Sequence, residues 1–99
     1  MPVINMEVRR ELCGAVVARA KSGVAWETTL VDLDRTAFPL IGALIPYGDA
    51  VFNELQVPEL LRELDRLPAD RGGAWMDEAR DLCDLVLRGT HHYLVFVGD

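Results

Sequence analysis

Alternation is the first signal along this chain. Over residues 3–8, Ile4, Met6 and Val8 fall on one side of an extended segment, with Asn5, Glu7 and Arg9 on the other. That is the period of a strand with one buried face. Cys13-Gly14 is placed to turn the chain into a second short strand over residues 15–19. Ser22-Gly23 is placed to turn it into a third over residues 24–33, rich in tryptophan, threonine and valine. Residues 9–21 also fit a helix through their alanines and arginines. Gly14 in its interior would cost up to about 1 kcal/mol relative to alanine, so strands are preferred.

The pattern then changes. Residues 38–49, Phe-Pro-Leu-Ile-Gly-Ala-Leu-Ile-Pro-Tyr-Gly-Asp, form an apolar connector in which each proline disfavours helix at the residue before it. At most one helical turn fits between them. Pro46-Tyr47-Gly48-Asp49 has the composition of a tight turn, and Asp49 is placed to cap a short helix over residues 50–56. Pro58 suits the first position of the next helix. Leu60, Leu61, Leu64 and Leu67 share one face of it, with Glu59, Arg62, Glu63 and Arg66 opposite. Leu67-Pro68 ends it, and Asp70-Arg71-Gly72-Gly73 forms a loop.

Residues 75–87 carry the clearest helical signal. Trp75, Ala79, Leu82, Cys83 and Val86 follow i, i+4, i+7, i+8, i+11, while Asp77, Asp81, Asp84 and Arg88 cover the other side. Gly89 is expected as a left-handed cap. Residues 93–97 are apolar on both faces, as in a strand buried in the middle of a sheet. The prediction is one α+β domain over residues 1–99. It has a small antiparallel sheet, an N-terminal meander plus a C-terminal strand, with two or three helices packed on one face. A chain of 99 residues is long enough to bury a core without disulfides or metals.

Charge narrows the range of partners. Residues 1–48 carry five basic and five acidic side chains, and residues 49–99 five basic against eleven acidic, so the net charge of −6 comes from the second half. Such a surface repels phosphates, because nucleic-acid binding relies on cations that release counterions. It equally disfavours anionic membranes, which attract basic segments. The N-terminus has neither the basic start nor the apolar run of a signal peptide. The longest mostly uncharged stretch, residues 36–48, falls short of a membrane span. With Cys13 and Cys83 far apart and outside any CxxC motif, a cytoplasmic protein with two reduced thiols is expected.

Few residues form a reactive set. His91 and His92 point to opposite sides of an extended segment, so they do not chelate one ion, and no four-ligand set of usual spacing completes them. One ring is expected to pack and one to be solvated. Cys83 lies on an apolar helix face, which raises rather than lowers a thiol's pKa. Cys13 meets a histidine only through tertiary placement. Ser22 is the sole serine, and Arg71-Gly72-Gly73 matches neither a phosphate loop nor a dinucleotide fingerprint. No cofactor or metal is expected. Carboxylates remain. Asp32 and Asp34 share a face if the third strand reaches them. Asp77, Asp81 and Asp84 form an acidic stripe softened by i, i+4 pairs of Arg80 with Asp84 and Asp84 with Arg88. The stripe is either a solvated helix face or a docking surface for a basic partner.

Three segments carry a resemblance: Phe38-Pro39-Leu40-Ile41-Gly42; Pro46-Tyr47-Gly48-Asp49 followed by Val51-Phe52-Asn53 and Leu55-Gln56; and Tyr93-Leu94-Val95-Phe96-Val97-Gly98-Asp99. Over the last two thirds of the chain this resembles a group of small bacterial, chiefly actinobacterial, proteins. In these, an FPLLG-like segment leads into a PYGDTVFN-like one and the chain ends in a YLVF-x-GD-like strand. The resemblance implies no activity. It marks Tyr47, Asp49 and Asn53 for attention, either as turn-forming and capping residues or as contacts for a partner.

The leading expectation is a non-enzymatic protein-binding module. An immunity or antitoxin-like inhibitor, whose acidic helix face meets a basic partner, is the sharper form of it. The alternatives are a small enzyme or ligand-binding domain using the Tyr47–Asp49 turn with Asp32 or Asp34, and a subunit that pairs with itself as a homodimer through an apolar patch.

Overall fold

The computed structural model describes residues 3–11 and 14–98, apart from the side chains at 27 and 28. In chain order its elements are β1 (Val3–Arg10), β2 (Val16–Arg19), β3 (Val24–Ala25), β4 (Ala50–Phe52), α1 (Val57–Arg66), α2 (Ala74–Arg88) and β5 (His92–Val97). The fold is the expected α+β arrangement: the strands form one antiparallel sheet in the order β2-β1-β5-β4, with β3 also paired to β1.

The alternation of β1 decides the layering. Ile4, Met6 and Val8 have no exposed surface and pack under the helices with Leu94 and Phe96 of β5. β5 lies between β1 and β4, which explains why it is apolar on both faces. All five apolar positions read from the α2 pattern, Trp75, Ala79, Leu82, Cys83 and Val86, are buried. Fully burying Leu60 and Leu64 of α1 against them contributes about 2 kcal/mol each.

β2 and β3 lie along the same edge of β1, as one strand interrupted at residues 20–23. Glu7 faces Arg19 and Ile4 faces Val24, so the register slips by two between them. Gly23 adopts φ +70 at the break, and a Cβ there would lie 2.8 Å from the Ile4 carbonyl. The expected turn at Cys13-Gly14 lies partly outside the described residues.

Five expectations are corrected. The third strand is only two residues long. The chain then winds into a π-helical turn, Trp26–Leu30, closed by the Val31 amide donating to the Trp26 carbonyl at 2.9 Å. Arg71 holds that turn open-ended, its guanidinium donating to the carbonyls of Thr29 and Val31. Asp32 and Asp34 therefore share no strand face: Asp32 sits at φ 62, and the Asp34 carboxylate accepts the Thr36 amide. Residues 50–52 are β4 rather than helix, because the free edge of β5 offers ladder partners from Ala50↔Phe96 to Phe52↔Leu94. The Phe52 and Phe96 rings meet edge to face at 5.7 Å there. Glu63, placed on the polar side of α1, is fully buried. Gly89 closes α2 in an extended conformation, φ −99. A Cβ there would meet the His92 ring, which would have to move aside.

Candidate functional site: the open face of the sheet

Helices cover one side of the sheet, and the other side carries an unusual set of side chains. By register, Arg19, Glu7, Val95 and Val51 form one row across all four strands. Arg9 and Tyr93 form the next row, and Asn5 and Val97 the one before. Val17, by alternation with Arg19, and Val16, paired with Arg9, fall on the same side. A solvated sheet face is normally polar at these positions. Here Val3, Val16, Val17 and Val51 are each between 37% and 42% exposed.

At the centre of this face lies an ion cluster. Glu7 accepts a hydrogen bond from Arg9 Nε at 3.0 Å and pairs with Arg19 Nε at 3.8 Å. Its side chain is only 8% exposed. Val95 beside it is 1% exposed yet stands apart from the core under the helices. Surface ion pairs are ordinarily worth 0–1 kcal/mol; one flanked by apolar side chains is better shielded from water and has its geometry set by the strands. The signal in the sequence was the second apolar face of residues 93–97 together with Val16-Val17.

The residues singled out from sequence are dispersed. Asp77, Asp81 and Asp84 are exposed along α2. Arg80 pairs with Asp65 at 3.0 Å and with Asp77 at 3.9 Å rather than with Asp84, and Arg88 pairs with Asp84 at 3.0 Å. Two of the three stripe carboxylates thus have a cation beside them. Asp81 instead lines a groove of about 480 Å³ between α2 and the chain at Arg19, Ala20, Lys21 and Ser22. Across that groove Glu78 accepts hydrogen bonds from the Ser22 hydroxyl and the Lys21 amide, which hold its carboxyl below the ordinary range.

Tyr47 is exposed at its turn. Asp49 accepts the Gly98 amide at 3.1 Å, tying that turn to the end of β5. Asn53 and Gln56 cap each other reciprocally. Asn53 Oδ1 accepts the amides of Leu55 and Gln56, and Gln56 Oε1 accepts the Asn53 amide, a capping-box arrangement leading into α1. Asn53→Ala is expected to lower stability by about 1 kcal/mol in urea unfolding; no change would mean that α1 starts without this cap.

Among the described residues no group of three or more metal-ligating side chains gathers, and no helix is long and apolar enough to cross a membrane. His92 Nδ1 lies 3.3 Å from the Leu85 carbonyl, while His91 is exposed. Burial pushes the Cys83 thiol up to about 12, against a smaller opposing pull from Arg80. In a Cys13→Ser chain, Cys83 should therefore react with a thiol reagent only as fast as the protein opens. Comparing rates with and without urea checks this, and fast native labelling would contradict it.

No family model matches this chain, and neither the curated proteins nor the solved structures contain a match to it.

Proposed function

We propose that this chain is a protein-binding module that docks through the open face of its sheet. The observation that carries the proposal is the set of exposed valines, Val3, Val16, Val17 and Val51, on the same face as a shielded Glu7–Arg9–Arg19 cluster. Apolar side chains exposed together on one face are what interaction sites display. A fixed ion cluster in its middle adds selectivity, because an ill-matched partner would leave those charges desolvated and unpaired.

The test is a Val17→Lys, Val51→Lys double variant. Both positions are about 42% exposed, so each change should alter stability by no more than about 0.5 kcal/mol. Immobilised wild-type chain should retain a binding protein that the folded variant releases. If both capture the same proteins equally, the sheet face is not the docking surface.

A further inference from the structure

We propose that the cavity beside the π-helical turn Trp26–Leu30 binds a free α-amino acid with an aromatic side chain. The site is separate from the docking face, because none of the residues lining it belongs to the rows of that face. The cavity measures about 380 Å³, and its lining includes Trp26, Leu30, Asp32, Leu33, Arg35 and Gly42. Small-molecule sites run from roughly 300 to 1,000 Å³ and combine apolar walls with a few converging polar groups. This one lies at the small end.

Its walls are held in place. The Arg71 guanidinium donates to the carbonyls of Thr29 and Val31, and the Val31 amide closes the π turn on the Trp26 carbonyl. Asp32 follows at φ 62, in a left-handed conformation that residues other than glycine adopt rarely and that gathers at ligand sites. Single π turns gather there too. On the opposite wall a Cβ at Gly42 would lie 3.2 Å from the Arg35 Cα, so the missing side chain lets the two segments approach.

Charge selects the ligand. Asp32 and Arg35 are exposed at the cavity, yet among the described residues neither side chain has a hydrogen bond or an ion pair. One anion and one cation thus stand unmatched beside the buried Leu30 and the partly buried Trp26 and Leu33. A simple anion would satisfy Arg35 and be repelled by Asp32, and a simple cation the reverse. A zwitterion satisfies both, with its carboxylate on the Arg35 guanidinium and its ammonium on the Asp32 carboxylate. The Trp26 indole gives the ligand's ring an aromatic partner. The larger groove beside α2 differs, because Glu78 there already accepts the Lys21 amide and the Ser22 hydroxyl. Water screens the two exposed charges, so a Kd of roughly 0.1–1 mM is expected for so small a ligand.

Titrating the full chain with L-phenylalanine to about 10 mM, followed by NMR shifts of amide and indole N–H groups, tests this. The Trp26 indole and the Gly42 amide should shift and saturate. 3-Phenylpropionate, which lacks the ammonium, and phenethylamine, which lacks the carboxylate, should each bind at least about tenfold more weakly. Arg35→Gln and Asp32→Asn should each weaken phenylalanine binding by a similar factor. Asparagine accepts left-handed backbone, so the second change keeps the turn. The Val17→Lys, Val51→Lys chain should bind phenylalanine like wild type, so this site and the docking face stand or fall separately. An absence of saturable shifts at the cavity overturns the site. Equal binding of the three compounds, or undiminished binding by the Asp32 and Arg35 variants, overturns the amino acid as its ligand.

Discussion

Glu63→Ala is expected to lower the stability of this protein by roughly 3–5 kcal/mol, a large share of the 5–15 kcal/mol typical of a domain. Glu63 has no exposed surface. Its carboxylate accepts the Leu40 amide at 3.1 Å through both oxygens and the Ile41 amide at 2.9 Å. Those amides open the 3-10 turn Ile41–Ala43, whose first residue is buried in the core with Phe38 and Leu44. The neighbouring Arg66 reinforces the clamp, donating to the Ala37 carbonyl at 2.6 Å and lying 5.6 Å from the Phe38 ring centroid. Alanine would leave two shielded N–H groups without acceptors, at about 1–3 kcal/mol each, and open a cavity besides. Glu63→Gln, which keeps the volume and one acceptor oxygen, should cost markedly less. Urea unfolding of the three proteins reads this directly. A loss below about 1 kcal/mol for alanine would show that the connector is held by its apolar contacts alone.

Gly98→Ala should cost roughly 3 kcal/mol, at the upper end of what overpacking usually takes. A Cβ at position 98 would lie 2.5 Å from both the nitrogen and the oxygen of Gly48 and 2.9 Å from the Pro46 carbonyl oxygen. All three are backbone atoms, so no side chain can swing aside. The turn at residues 46–48 would have to lift, releasing the Asp49 cap on the Gly98 amide and loosening β4 from β5. Thermal unfolding with circular dichroism measures the loss. A variant as stable as wild type would mean that the turn slides without strain.

The two sites show where sequence stops being informative. β1, α2 and β5 were legible because each repeats its own period over enough residues to set a face: Ile4, Met6, Val8 in one, Trp75 to Val86 in another. β4 was not. Three residues hold no period, and Asp49 before them looks the same whether it caps a helix or the distant Gly98 amide. The π-helical turn Trp26–Leu30 overrides β-prone residues, with Arg71, some forty positions later, holding its carbonyls. Glu63 read as solvated because its partners are backbone amides of the connector, invisible to any side-chain pattern. The open face was half legible. Both-sided apolarity at residues 93–97 and Val16-Val17 were in plain view, but only the register sets them beside Glu7 and Val51.

The central ladder, from Asn5↔Val97 to Arg10↔His92, joins the two ends of the described chain in the middle of the sheet. Pairing across so wide a sequence separation is slow to form. During synthesis β1 leaves the ribosome with Ile4, Met6 and Val8 uncovered, and its central neighbour β5 is made only after all the other described elements. β4 has no ladder partner until then either. Folding of this sheet is thus held back until β5 has been made. A ribosome that stalls before β5 leaves an unpaired apolar strand exposed to whatever chaperone or neighbouring chain reaches it first.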